Sequence, residues 1–207
     1  MLRWGWLLLA FTAWGWGGAP PDGLVAAAKQ QIGVTRFYDS GYRKLAYPGG
    51  DPPLDRGVCT DVLVRAYRLF GVDLQVLIHQ DMVKNWNLYP NPWRAKGPDR
   101  NIDHRRVPNL ACFFGRYGES LPITRDGALY LPGDIVTWTL PSGLPHIGIV
   151  SDVKGRSGVP MVIHNIGYGT KEDDILFLFK VVGHYRYRCS SVRLNERQNP
   201  PSEGARK

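Results

Sequence analysis

Cys59, His146 and His164 have the residue types and spacing for nucleophilic catalysis. Cys59 closes a Gly- and Pro-rich stretch, YPGGDPPLDRGVC, and opens a segment, CTDVLVRAYRLF, that reads as a helix. Val62, Ala66, Leu69 and Phe70 fall at i, i+4, i+7 and i+8, an apolar face at helical period, and Gly71 follows as a stop. A thiol in the first turn of a helix meets unpaired N–H groups and the positive end of the macrodipole. Both favour thiolate, the reactive form. His146 begins HIGIVSD and shares a face with Gly148 and Val150 at the two-residue period; His164 lies in VIHNI with Val162 and Ile166. On adjacent antiparallel strands the two imidazoles would stand side by side. One would take the thiol proton and the other would fix its tautomer and orientation. Gly148 would leave room on that face. A register shift of one residue would put Asn165 in the place of His164.

The elements that must carry these groups fall into two halves. The first reads as helical: GLVAAAKQQI, with Asp22 as cap and Gly33 as end, then the Cys59 segment, then DLQVLIHQDMVKNW with Leu74, Leu77, Ile78 and Met82 on one face. A short helix is expected from Asn109, as cap, through Phe113 and Phe114. The connection from Tyr38 to Val58 is too long for a turn, and such loops often carry function. From Leu131 onward the runs DIVTWTL, HIGIVSD, PMVIHNI, ILFLFKVV and HYRYR read as strands, with GYGTKEDD among the turns between them. Helices first and an antiparallel sheet afterwards predict an α+β fold. Asp134, in the LPGD turn, is expected to bond local backbone.

The order of these parts resembles the NlpC-type branch of papain-like cysteine hydrolases, bacterial enzymes of the cell wall. YPGG, GVCTDVLVRAY, LPGDIVTW, HIGIV and VIHN follow that family's order over roughly residues 22–188. CTDV, DLQVLIHQDM and NIDHRRVPNL also resemble a group of bacterial secreted proteins filed as a domain of unknown function, a divergent relative of that branch. The resemblance implies a papain-like α+β fold. It makes Cys59 the nucleophile, His146 the base, His164 the third polar group and Tyr47 a loop tyrosine assisting the oxyanion or the substrate carbonyl. Val58 precedes the Cys and Thr60-Asp61 follow it, where the family has Asp before and Ser-Gly after. Asp61 suits the helix start, yet its charge would raise the thiol pKa, so it is expected to turn away and bond the Tyr47 loop or a cation. Substrate contacts are therefore assigned to Tyr47, Asp61, Arg105 and Arg106. The two arginines, beside Asp103 and His104 in NIDHRRVPNL, could clamp the carboxylates of peptidoglycan stem peptides. The competing reading is a surface loop pinned by Arg–Asp pairs. His79 is expected to be structural or exposed, and Tyr185 to Arg188 to form an exposed basic-aromatic edge beside His184.

Arg3, the apolar run WGWLLLAFTAW and the small residues GWGGAP form a secretory signal peptide over residues 1–19, with an uncleaved anchor as the alternative. No other stretch is long and apolar enough to span a bilayer. A single domain over 20–190 and a polar tail over 191–207 complete the organisation. The 207 residues carry a net charge of +8 and 43% hydrophobic residues, enough for a core and suited to an anionic partner such as the cell wall. Nothing beyond that charge points to nucleic acid, and a signal peptide argues against it. Neither HExxH, CxxC, GxGxxG nor a P-loop occurs, so no metal or cofactor is expected. Cys112 and Cys189 could pair outside the cytoplasm and leave Cys59 free. The expectation is a secreted or periplasmic thiol hydrolase cutting an amide or isopeptide bond. Its rivals are a Cys-dependent acyltransferase or esterase and a non-catalytic wall-binding module on the same fold.

Overall fold

The computed structural model describes residues 23–188. The expected signal peptide, the tail, Asp22 and Cys189 lie outside the described residues. Helices come first: α1 (Leu24–Lys29), α2 (Cys59–Arg68), α3 (Leu74–Asn85) and α4 (Val107–Tyr117). Between α1 and α2, β1 (Phe37–Tyr38) pairs in parallel with β2 (Arg56–Gly57). The main sheet holds β3 (Glu119–Ser120), β4 (Ile135–Thr139), β5 (Pro145–Lys154), β6 (Pro160–Asn165), β7 (Thr170–Asp173) and β8 (Lys180–Arg186). Its order is β3-β8-β4-β5-β6-β7 and each neighbouring pair is antiparallel. The α+β class follows the expectation from sequence. No helix among the described residues is long and apolar enough to cross a membrane.

The sheet has an apolar layer on each face. On one face Ile135, Ile147, Ile149 and Ile163 pack with Val62, Leu63 and Ala66 of α2 and Phe113 and Phe114 of α4. On the other, Val136, Trp138, Val150 and Val162 pack with Tyr130, Ile175 and Leu176. Strand alternation produces both sets, since successive side chains point to opposite faces. Helix α2 is buried on nearly every side from Cys59 to Tyr67, so it is a central helix and carries more than one apolar stripe. It ends at Arg68, and Leu69 and Phe70 fall beyond its last turn and outside the expected face. In α3, Leu74, Leu77, Ile78 and Met82 are buried together as their spacing predicts.

Other elements differ from the sequence reading for identifiable reasons. Helix α4 starts two residues before Asn109, with Pro108 in its first turn, a position that needs no N–H. Asn109 is inside the helix and its Nδ2 donates to the Asp103 carbonyl. Residues 175–179 form no strand. They cover the second face, where the Trp138 indole N–H donates to the Leu176 carbonyl at 2.9 Å. The strand begins only at Lys180 and runs on through Arg186. Strand β7, read as a turn, is an edge strand of the polar residues TKED. HYRYR is no exposed edge: His184 and Tyr187 are buried. The LPGD turn explains why. Asp134 accepts from the Leu131 N–H at 2.9 Å, as expected of a turn former, and also from His184 Nε2 and both Arg186 fork nitrogens. Burial pushes its carboxyl up, and these donors more than offset that, leaving it below the ordinary carboxylate range.

The long loop after β1 is tied to the helices by side chains. Arg65 bonds Asp51, Thr35 Oγ1 and the carbonyls of Pro52 and Arg56. Gln75 accepts from the Gly50 N–H and donates to the Ala46 and Arg100 carbonyls. Asp73 accepts from the Gly49 N–H at 2.7 Å. The YPGG segment therefore docks on the start of α3, while residues 56–58 lead into α2.

Candidate active site

Cys59 is the first residue of α2 and is 4% exposed. The backbone N–H groups of Ile147, Thr60 and Cys59 favour its thiolate. The Ile147 contact brings the sulfur to the His146–Ile147 peptide of β5. It reaches that peptide where the β5–β6 ladder opens: pairing is regular at Ile149↔Ile163 and Val150↔Val162 and does not continue to His146. Asn165, at the end of β6, crosses the opening instead. Its Nδ2 donates to the Gly57 carbonyl at 3.1 Å and holds the start of α2 there. Asn165 is thus a strut, and the register assigns the imidazole partner to His164.

His146 and His164 meet as expected. His146 Nε2 lies 3.0 Å from His164 Nδ1, with ring centroids 5.0 Å apart and planes at 83°. Both are buried. His146 pairs directly with Trp138 on β4, and their rings are 5.7 Å apart. The imidazoles therefore stand on the Trp138 side of the sheet, and α2 covers the Ile147 side. No hydrogen bond joins Cys59 to His146 among the described residues, so the expected convergence of the thiol with the imidazoles is not met: strand alternation sends His146 to one face of β5 while α2 and Cys59 cover the other.

Gly148 makes the imidazole contact possible. A Cβ there would stand 2.5 Å from Val162 Cγ1, 3.0 Å from the Ile163 carbonyl oxygen and 3.2 Å from His164 Cβ. Gly148→Ala is expected to cost about 1–3 kcal/mol through this overpacking and to push His164 from His146. Thermal unfolding would register it, and an unchanged Tm would contradict the packing argument.

Burial sets the charge state. It pushes the Cys59 thiol up to about 12; the Ile147 N–H opposes it, the Asp61 charge adds to it, and the N–H groups of Thr60 and Cys59 oppose it again. The macrodipole argument from sequence is outweighed by desolvation. Burial, then charge on His164, pushes His146 down to about 3. The thiol and the His146 ring therefore both rest neutral. Alkylation of Cys59 by iodoacetamide is therefore expected to climb about tenfold per pH unit from pH 7 to 9, in a chain with Cys112 and Cys189 changed to serine. A flat rate over that range would indicate a resting thiolate–imidazolium pair.

The residues assigned to substrate contacts are divided by the structure. Asp61 and Arg105 form an ion pair at 3.1 Å, each side chain 1% exposed. Asp61 also accepts from the Val58 N–H at 2.7 Å, half of a capping box at the helix start. Arg105 donates further to the Asp39 and Gly41 carbonyls. Asp61 thus pairs with a cation, as its position predicted, and Arg105 is occupied within the protein. Arg106 is elsewhere, stacked 4.2 Å over Trp93 and 3.6 Å from Asp103. Tyr47 packs against His79 at 5.5 Å and Arg100 at 5.4 Å, and the charges it senses are those of Asp73 and Arg100. The tyrosine that senses the charge of Cys59 is Tyr38. Burial first, then the charges of Cys59 and Asp61, push its phenol up to about 12. Its signal in the sequence was only its place at the start of the long loop from Tyr38 to Val58.

Beyond His164 lies a residue the sequence reading passed over. Asp173 Oδ2 is 3.1 Å from His164 Nε2. Val162↔Asp173 and His164↔Lys171 are paired, so Asp173 reaches His164 along the diagonal of one face. Among the described residues no cluster of His, Cys, Asp and Glu has the makings of a metal site.

A helix-borne thiol against the Ile147 face of an antiparallel sheet, and a carboxylate-backed imidazole pair on the Trp138 face, mark an α+β protein. Residues 25–187 match the family described as Domain of unknown function (DUF1287), and the chain belongs to that family. It is 56% identical over 160 residues to the uncharacterized protein YijF of Escherichia coli (strain K12), covering 77% of this chain and 78% of that protein. Two solved structures have a similar trace. NlpC1 from Trichomonas vaginalis matches with a TM-score of 0.42 and 21% identity over 84% of this chain. A lipoprotein-like protein of the NLP/P60 family from Staphylococcus aureus matches with 0.44 and 10% over 85%. The chain spans less than half of either solved protein, 46% and 45%.

Proposed function

We propose that this protein is a secreted or periplasmic thiol hydrolase that cuts an amide or isopeptide bond, with peptidoglycan stem peptides as substrate. The reading is supported by the contact of two buried imidazoles at 3.0 Å and by the influence of the Ile147 N–H, next along the chain from His146, on the Cys59 thiol. Cys59 gives its proton to His146 and attacks the carbonyl carbon. Backbone N–H groups at the start of α2 receive the oxyanion. His146 returns the proton to the leaving amine, and water, deprotonated by His146, releases the acyl group from sulfur. Thiolate and imidazolium stabilise each other only once adjacent, so this reading requires the His146 ring to come round the end of β5 to the α2 side when substrate binds. The substrate class rests on the motif resemblance and on the net charge of +8, which suits an anionic wall. The location rests on the signal-peptide pattern of residues 1–19.

Incubation with purified muropeptides, followed by mass spectrometry, tests this reading. Cleaved stem peptides are the expected result, and intact ones would count against it. One observation favours a second reading, a wall-binding module without catalysis: the thiol is almost fully enclosed and held neutral by burial. That reading expects retention on insoluble wall with no cleavage, unaffected by Cys59→Ser.

A further inference from the structure

A carboxylate can only accept, so Asp173 Oδ2, 3.1 Å from His164 Nε2, requires a proton on that nitrogen. Burial lowers the pKa of His164, opposed by the charge and hydrogen bond of Asp173 and aided by Lys171, which favours the neutral ring. A neutral imidazole with a proton on Nε2 has a lone pair on Nδ1. That lone pair lies 3.0 Å from His146 Nε2, which must then donate. His146, also neutral, keeps its lone pair on Nδ1. One carboxylate on an edge strand therefore dictates the tautomers of two buried rings.

We propose that Asp173 is a positioning residue of the site, fixing His146 in the Nε2–H tautomer with Nδ1 as the basic nitrogen. This deepens the hydrolase reading and rests on it for its catalytic meaning; the tautomer itself does not. When the Cys59 proton moves to Nδ1, His146 becomes an imidazolium whose Nε2–H is already engaged by His164. The positive charge is shared along a chain ending in a carboxylate. The Asp173 side chain is 41% exposed while that of His164 is 1% exposed, so the anchor of the buried chain stands at the surface. Its replacement leaves the core packing intact.

The test is long-range ¹H–¹⁵N NMR of the histidine rings in the full chain. The wild type is expected to give Nε2–H patterns for His146 and His164. Asp173→Ala removes the acceptor, and His146 is expected to become a mixture of both tautomers. Asp173→Asn keeps an amide oxygen that accepts, so it is expected to retain the Nε2–H form. A His146 tautomer identical in wild type and Asp173→Ala would overturn the proposal, as would an Nδ1–H pattern in the wild type. On muropeptides, Asp173→Ala is expected to lose about tenfold in kcat at unchanged KM, with Asp173→Asn between it and wild type. If the wild type cleaves nothing, the hydrolase reading fails, and the ring spectra still decide the tautomer.

Discussion

Exchange of Cys59 for serine is expected to lower muropeptide cleavage by at least about 10³-fold. Serine is near-isosteric, so the packing of α2 against β5 survives. What is lost is a nucleophile that the site can ionise. A serine hydroxyl is a far weaker acid than a thiol, and the same burial that pushes the thiol up to about 12 would act on it too. His146→Ala is expected to lose about 10²–10⁴-fold, the usual share of a general acid–base group. The double variant should be no worse than Cys59→Ser alone, because the two groups act as a unit. Rates from mass-spectrometric time courses decide this. Undiminished cleavage by Cys59→Ser would remove the thiol from the mechanism and favour an activity elsewhere on the molecule.

The second large effect concerns stability. Arg105→Ala is expected to cost about 3–5 kcal/mol, because it leaves the Asp61 carboxylate buried without its cation. The two side chains are each 1% exposed, so water cannot replace the guanidinium. Burial already pushes the Asp61 carboxyl up, with the Arg105 charge as the leading opposing influence. The loss also frees the Asp39 and Gly41 carbonyls, which anchor the strand carrying Tyr38. A domain of this size should lose about 10 °C in Tm. The double variant Asp61→Leu/Arg105→Met removes both charges together and is expected to recover most of the loss, less about 1 kcal/mol for the lost helix cap. Thermal unfolding of the set measures it. A double variant less stable than Arg105→Ala would mean that the pair stabilises the fold beyond neutralising its own burial.

The pair also explains a departure noted in the sequence. An acidic residue two positions after Cys59 raises the thiol pKa, yet Asp61 closes the helix cap and locks residues 39–41 through Arg105. The loop segment NIDHRRVPNL, read as a possible carboxylate clamp, contributes Arg105 as an internal tie. Arg106 goes to Trp93, in the adjoining irregular stretch.

Local order carried much of this molecule. The period of 3.6 in α3, the period of 2 in β4 to β6 and the Gly and Pro punctuation around Cys59 depend on nearest neighbours, and those the chain states by itself. The pairing of His146 with His164 was legible too, because strand alternation turns spacing into facing. What only the tertiary structure decided was everything that depends on burial and on side chains meeting across long separations. Desolvation, a property of the whole fold, reverses the thiol's expected acidity. Asp61 finds Arg105 across 44 residues, and Gln75 and Asp73 draw the YPGG loop with Tyr47 onto α3. Polar β7 has no apolar alternation to announce it; pairing with β6 makes it a strand, and that pairing brings Asp173 to His164.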